Sequence, residues 1–200
     1  MRRIVLVSLL LMLTAVLVAL VYLRSTGLSA RPEPMAGEAF VAKRARAFAI
    51  PTAARTASNP ITRDAKVLAD AMQHYADHCA ICHANNGSGD TPIGKGLYPR
   101  PPDLRETATQ NLADGEIYWI IHNGVRFTGM PAFGEDKADV PDEDSWKLVH
   151  FIRRLPEITD EEIQAMKRFN PISRADLDEE EQIRKFLAGE DIVVPLRHNH

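Results

Sequence analysis

Two cysteines and a histidine lie within five consecutive residues, Cys79-Ala80-Ile81-Cys82-His83. Two thiols separated by two residues can both add to the vinyl groups of a haem, while the next side chain reaches the iron. The spacing therefore predicts one covalently attached haem c, held by Cys79 and Cys82, with His83 as an iron ligand. A thioredoxin-like pair would need a βαβ pattern, and a zinc site would need a fourth ligand and usually a second cysteine pair. Neither pattern is present in the sequence.

Met130 is the candidate for the second axial iron ligand. It lies 47 residues beyond His83, between Gly129 and Pro131, and belongs to no helical stripe that would place it in a core. A thioether stabilises ferrous over ferric iron and so raises the reduction potential. Met72 lies on the same helix as the attachment motif and Met166 lies near the C-terminus, so both are weaker candidates.

Four other histidines precede or follow the motif within the predicted helices: His74, His78, His122 and His150. Each is predicted to be a surface or packed residue, and His122 is the first substitute ligand if Met130 is not bound to iron. Two more, His198 and His200, form a terminal pair of the kind that can capture copper or zinc weakly. A pair alone is poor evidence for a metal site, so the tail is predicted to be inert.

The elements around these residues are predicted to be helices and loops. An amphipathic helix over residues 64–78 leads directly into Cys79, and a Gly- and Pro-rich stretch over 85–102 is predicted to be a loop. Further helices are predicted over residues 37–50, 114–123, 141–155, 159–169 and 174–187, with a second loop over 125–134 and a disordered tail from 195. No alternating strand pattern of useful length occurs, which predicts an all-α fold.

A run without charged residues, Ile4–Leu23, opens the chain. Its 20 residues match the roughly 30 Å hydrocarbon thickness of a bilayer. Leu28-Ser29-Ala30 puts a large residue where a signal peptidase prefers a small one, which favours an uncleaved anchor. Arg2 and Arg3 precede the run, so the N-terminus is predicted to stay in the cytoplasm. The predicted location is the cell inner membrane, crossed once, with the rest of the chain on the periplasmic or extracytoplasmic side.

The chain is divided by these patterns into four parts. Residues 1–25 are predicted to be a transmembrane anchor, 26–63 a linker with a short docking helix, 64–155 the haem domain, and 156–200 a helical extension with a flexible tail. The linker is basic, and a solvated helix face or lipid headgroup binding would each explain this. From residue 64 onward the chain is acidic, and the whole chain of 200 residues has a net charge of −3. No basic face for nucleic acid is therefore expected.

The CAICH motif, the Gly-rich stretch and Gly129-Met130-Pro131-Ala132-Phe133-Gly134 together resemble the class I-type cytochromes c, including single-haem, membrane-anchored cytochrome c-like domains. The resemblance covers residues 64–155. It implies that His83 is the proximal ligand, that Met130 is the distal ligand, and that the first and last helices of the domain cross.

In that family a proline carbonyl accepts a hydrogen bond from the second nitrogen of the proximal histidine, which fixes the ring. Pro99, Pro101 and Pro102 are the candidates in this sequence. Further residues could line the haem or bind a propionate, and equally could be ordinary core or surface: Tyr98, Trp119, Arg126 and Phe127.

An iron with both axial positions filled has no open site for substrate, which restricts it to one-electron exchange. The sequence therefore predicts an electron-transfer protein rather than an enzyme, either alone or as the haem subunit of an oxidoreductase complex. Its expected partners are redox proteins, such as membrane respiratory or dehydrogenase complexes. The alternatives are a haem enzyme and a gas or redox sensor subunit, both of which would need a labile distal ligand.

Overall fold

The computed structural model describes residues 2–27, 29–134, 142–172 and 174–189. In these residues the regular elements are helices and no strand occurs, so the all-α prediction is confirmed. The α-helices are α1 (Arg2–Thr26), α2 (Ala36–Ala49), α3 (Thr52–Thr56), α4 (Ala65–His74), α5 (Ala80–His83), α6 (Pro92–Lys95), α7 (Thr107–Gln110), α8 (Asp114–Asn123), α9 (Glu143–Arg154), α10 (Asp160–Met166) and α11 (Arg174–Leu187). A π-helical turn, Tyr75–Cys79, joins α4 to α5, and 3₁₀ turns follow α9 and α10 at Leu155–Glu157 and Lys167–Phe169.

Helix α1 contains the predicted apolar run and is long enough to cross a bilayer, with 25 residues and no side chain buried by the rest of the protein. Its length and composition fit a membrane anchor and equally a signal sequence. Helix α2 follows where the docking helix was predicted.

The core forms where α4 and α9 pack together. The Asp64 carboxylate caps α4 by accepting a hydrogen bond from the Val67 N–H at 2.8 Å. The rings of Tyr75, just beyond α4, and Phe151, on α9, lie 5.0 Å apart between centroids. Helix α9 also buries Trp146, Leu148, Val149 and Ile152. The predicted contact between the first and last helices of the haem domain is thus confirmed.

Helix α8 spans the predicted residues and closes the third side of the core with Ile117 and Ile121. It ends at Gly124, whose φ of 66° suits a residue without a side chain. Arg153 on α9 ties the two helices together, because its guanidinium donates to the Asp114 carboxylate at 2.8 and 2.9 Å and to the Gln110 carbonyl at 2.6 Å.

The end of the linker packs against the core as a strap formed by residues 50–61. Ile50 is 2 % exposed, and α3 lies so close to α8 that a Cβ on Gly115 would overlap the Ala54 carbonyl oxygen. Further along, Asn59 Nδ2 donates to the Trp146 carbonyl at 2.9 Å. His150 Nε2 lies 2.7 Å from the Ile61 carbonyl oxygen, which gives this histidine a structural partner.

The first part of the C-terminal extension also joins the core. Thr159 and Glu162 form the predicted capping box at the start of α10, with hydrogen bonds of 3.2 and 2.8 Å. Met166 at the end of α10 is 0 % exposed and belongs to the same buried cluster as Tyr75 and Phe151. The predicted division at residues 64 and 155 stays a prediction, but packed side chains cross both positions.

Three short helices, α3, α6 and α7, were not predicted, because one turn is too short for a hydrophobic period. Helix α6 interrupts the predicted loop over residues 85–102. Helix α9 begins at Glu143 with Asp142 as its cap, and Pro141 lies outside the described residues. So do Leu28 and the tail with His198 and His200.

Candidate haem site

The attachment motif lies at the end of one continuous helical segment. From α4 the chain passes through the π-helical turn and into α5, so that Cys79, Cys82 and His83 share adjacent turns. Ala76 and Ala80 are buried at these turns and belong to the core cluster, so the motif is anchored on the core. The Tyr75 hydroxyl donates to the Ala84 carbonyl at 3.1 Å, which fixes the point where the chain leaves the helix.

The two cysteines are free thiols in the structure. Burial, together with the neighbouring Cys82, raises the pKa of Cys79 to about 12. Burial also raises the pKa of Cys82. Two unbridged cysteines separated by two residues are the donor set that thioether attachment of a haem requires.

His83 carries an unsatisfied ring nitrogen. Among the described residues, its Nδ1 is the one buried side-chain nitrogen or oxygen without a partner in hydrogen-bond geometry. Burial lowers the pKa of His83, and the nearby Pro102 carbonyl opposes that shift as an acceptor for the ring N–H. Of the three candidate prolines, Pro102 is therefore the one placed to orient this ring. The residues present fit a haem c, whose iron would take the other nitrogen.

The Gly-rich loop after His83 folds back onto the motif. The Gly89 N–H donates to the His83 carbonyl at 2.9 Å, and the Thr91 hydroxyl donates to the Cys82 carbonyl at 3.3 Å. A Cβ on Gly94 would lie 2.8 Å from that Cys82 oxygen. Glycine is needed at this position because the backbones approach too closely for a side chain.

Met130 lies in a compact loop after α8 and is half-buried against the core cluster. The Val125 N–H donates to the Met130 carbonyl at 3.1 Å, and the Met130 N–H donates to the Thr128 hydroxyl at 3.1 Å. The loop then returns to α8, where the Phe133 N–H donates to the Ile121 carbonyl at 3.1 Å. The backbone of Met130 is thus fixed from both sides.

Two contacts place this loop beside the attachment motif. A Cβ on Gly129 would lie 2.6 Å from the side chain of Leu97, which belongs to the loop that folds over the motif. The ring of Phe133 stacks over that of His78, one residue before Cys79, with 6.5 Å between centroids and 25° between the ring planes. The residues on either side of Met130 therefore contact segments on either side of Cys79, Cys82 and His83.

The remaining histidine candidates have other neighbours. His74 and His78 meet edge to face, with 4.7 Å between ring centroids. His122 Nδ1 lies 3.0 Å from the Asp142 carboxylate, and its ring is stacked on Tyr118.

The four possible haem-lining residues differ in exposure. Arg126 is exposed, and Phe127 beside it is 94 % exposed with a φ of 62°. Trp119 is half-buried. Tyr98 hydrogen-bonds the Glu38 carboxylate, which raises the pKa of this phenol.

Thr91, Leu97 and Thr128 shape the site and were not singled out from the sequence. Thr91 had a readable signal, since a threonine before proline marks a helix start, and its hydroxyl accepts from the Gly94 N–H at 2.8 Å. Leu97 and Thr128 gave no signal, because their roles depend on which loops meet.

A comparison with known proteins finds a family match over the residues that form this site. Residues 67–152 match the family model described as "Cytochrome C oxidase, cbb3-type, subunit III". No curated protein matches the chain. The chain thus contains a cytochrome c-like domain, as the motifs predicted, and that class of domain implies haem c and haem-based electron transfer.

Proposed function

We propose that this protein is a membrane-anchored one-electron carrier with a single six-coordinate haem c. In this proposal Cys79 and Cys82 hold the haem through thioethers, and His83 and Met130 are its axial ligands. Its two cysteines form one attachment motif, which allows one covalent haem.

The observation that carries the proposal is the placement of the Met130 loop. Gly129 rests on Leu97 and Phe133 on His78, so the loop spans the motif that presents His83. A thioether at this position is the soft ligand that a ferrous iron prefers. By contrast, His122 is engaged by Asp142 at 3.0 Å and has a competing partner.

Haem c supplies a one-electron Fe(III)/Fe(II) couple when it is bound. The protein orients the His83 ring and shields the attachment motif from water. Pro102 offers its carbonyl to the His83 ring, which would orient the ring and increase the donor strength of the nitrogen that binds iron. The Gly-rich loop and the Met130 loop cover the motif, and exclusion of water raises the reduction potential because it disfavours the ferric charge.

The membrane part of the proposal is supported by α1. A single uncleaved span would leave the cytochrome c-like domain on the periplasmic side, since Arg2 and Arg3 precede the span. The anchor would raise the effective concentration of the carrier near membrane redox complexes. The matched family is described as an oxidase subunit, which favours a respiratory oxidase complex as partner.

The axial ligand is tested by absorption spectroscopy on the full chain, matured with haem and purified in detergent. The ferric protein is expected to show the weak far-red sulfur-to-iron charge-transfer band. Met130→Ala is expected to lose this band and to bind carbon monoxide rapidly in the ferrous state. His122→Gln is the matched control and is expected to keep the band.

Rapid carbon monoxide or cyanide binding by the wild type, with no far-red band, would refute Met130 ligation. The distal position would then be open, and the protein would be a haem enzyme or a gas or redox sensor. A wild type that lacks the band and binds carbon monoxide slowly, but binds it rapidly after His122→Gln, would identify His122 as the ligand instead, because a second histidine gives no sulfur-to-iron band.

A further inference from the structure

Helix α2 presents an aromatic and basic face that no described residue covers. Phe40, Arg44 and Phe48 recur every four residues and so share one side of the helix. Phe40 is 60 % and Phe48 is 90 % exposed. The Arg44 guanidinium carbon lies 5.2 Å from the centroid of the Phe40 ring, so charge and aromatic surface are presented together. We call this surface, completed by the exposed Val41, the aromatic face of α2.

The same helix is joined to the folded domain at both ends. Just before its start, Glu33 pairs with Arg100 at 2.6 Å, and within its first turn Glu38 accepts a hydrogen bond from Tyr98. At its other end the Arg55 guanidinium donates to the Ala47 carbonyl, and Ile50, the first residue after the helix, is buried in the strap. Helix α2 is therefore held to the domain by contacts at both of its ends.

The chain itself indicates what lies against the aromatic face. Nine residues separate the end of α1 at Thr26 from the start of α2, and they extend at most about 30 Å. In the described part of the chain no carboxylate pairs with Lys43 or Arg44. Aromatic rings with unpaired basic groups, next to a helix that can span a bilayer, suit an interface with anionic headgroups.

We propose that α2 lies in the membrane interface, with Phe40, Val41 and Phe48 at the boundary between headgroups and acyl chains. Lys43 and Arg44 then bind anionic headgroups. The contacts of Ile50 and Tyr98 fix the orientation of the haem domain relative to α2 and so relative to the membrane. The bilayer thereby sets which side of the domain faces membrane partners. The proposal rests on the proposed function in one respect, that α1 stays attached.

The test is hydrogen–deuterium exchange of the full haem-loaded chain in nanodiscs. One set contains phosphatidylcholine, and the other contains equal parts of phosphatidylcholine and phosphatidylglycerol. Amides of residues 40–49 are expected to exchange at least about tenfold more slowly in the anionic discs, because docking suppresses local opening. Added salt should reverse part of this difference, since it screens the headgroup charge.

Two pairs of substitutions give the matched comparison. Lys43→Gln with Arg44→Gln is expected to abolish the difference between the two lipid compositions, and Phe40→Ser with Phe48→Ser should speed exchange in both. Lys167→Gln with Arg168→Gln removes the same charge elsewhere and should change neither the exchange rate of α2 nor its dependence on the lipid.

Equal exchange in both lipids, unchanged by the substitutions on α2, would overturn the inference. Protection that rises with protein density per disc would also overturn it, because a second copy would then cover the face. Intact mass and the haem spectrum are recorded on the same sample. An intact mass that shows cleavage before residue 31 would refute both the proposed anchor and this inference. An intact, haem-loaded chain in which the α2 amides are not protected would refute the inference alone.

Discussion

Met166 offers a sharp test of whether the C-terminal extension belongs to the folding unit of the haem domain. The residue lies beyond the family match, which ends at residue 152, yet its side chain is 0 % exposed. It packs in the same cluster as Tyr75 and Phe151, on which the attachment motif rests. We expect Met166→Ala to lower the free energy of unfolding substantially while leaving the axial ligands in place.

The size of the effect follows from burial. Replacing a fully buried methionine by alanine removes the transfer free energy of the lost atoms and leaves a cavity, for a total cost of about 2–5 kcal/mol. A guanidinium chloride m-value of roughly 2–6 kcal/mol/M converts this into a midpoint shift of about 1 M. The assay is guanidinium unfolding of the detergent-solubilised, haem-loaded chain, followed by far-ultraviolet circular dichroism and by the haem spectrum.

Two controls separate packing from other causes. Met166→Leu nearly conserves volume and should cost less than about 1.5 kcal/mol. Ile172→Ala, in an exposed position of the same extension, should change stability by less than about 0.5 kcal/mol. A cost for Met166→Ala as small as that of the exposed control would refute the assignment of α10 to the core.

Three further predictions concern the strap, the Met130 loop and the cap of α9. Gly115→Ala puts a methyl group where the Ala54 carbonyl of the strap lies and should lower the free energy of unfolding in guanidinium by about 1–3 kcal/mol. Gly37→Ala, which has open space around it, should leave stability unchanged or raise it. Equal effects of the two substitutions would contradict the packing of the strap on α8. Phe127→Gly should raise the unfolding free energy by about 0.5–1 kcal/mol, because it relieves a left-handed backbone and loses little burial; a decrease would contradict this. Burial raises the pKa of Asp142, but hydrogen bonds, first among them those from Ser145, outweigh burial and lower this pKa overall. The Asp142 carboxylate therefore stabilises the fold above the unfolded pKa, which is about 4, and this stabilisation is lost as the pH falls through the folded pKa. Asp142→Asn should therefore be less stable than wild type at pH 7, with a gap that narrows in acid, and a gap independent of pH would contradict this.

The local elements of the fold were readable because each has a signal in adjacent residues. Helix α8 begins and ends where its apolar period and Gly124 predicted, and the capping box placed the start of α10 at Thr159. The same holds for the attachment motif, whose chemistry depends on a spacing of three residues. The single turn α6 was not predicted, because the surrounding glycines favour a loop, although Thr91 followed by Pro92 is a typical helix start.

The sequence by itself determined the all-α class, the candidate haem attachment at Cys79, Cys82 and His83, and the apolar run at the N-terminus, since each is a property of neighbouring residues. Tertiary structure alone decided that Pro102, among three prolines, faces His83 and that Leu97 and His78 flank the Met130 loop. It also decided that the strap and α10 complete the core. The physical reason is that these contacts join residues far apart in the chain, whose meeting depends on how the helices pack and not on any local pattern.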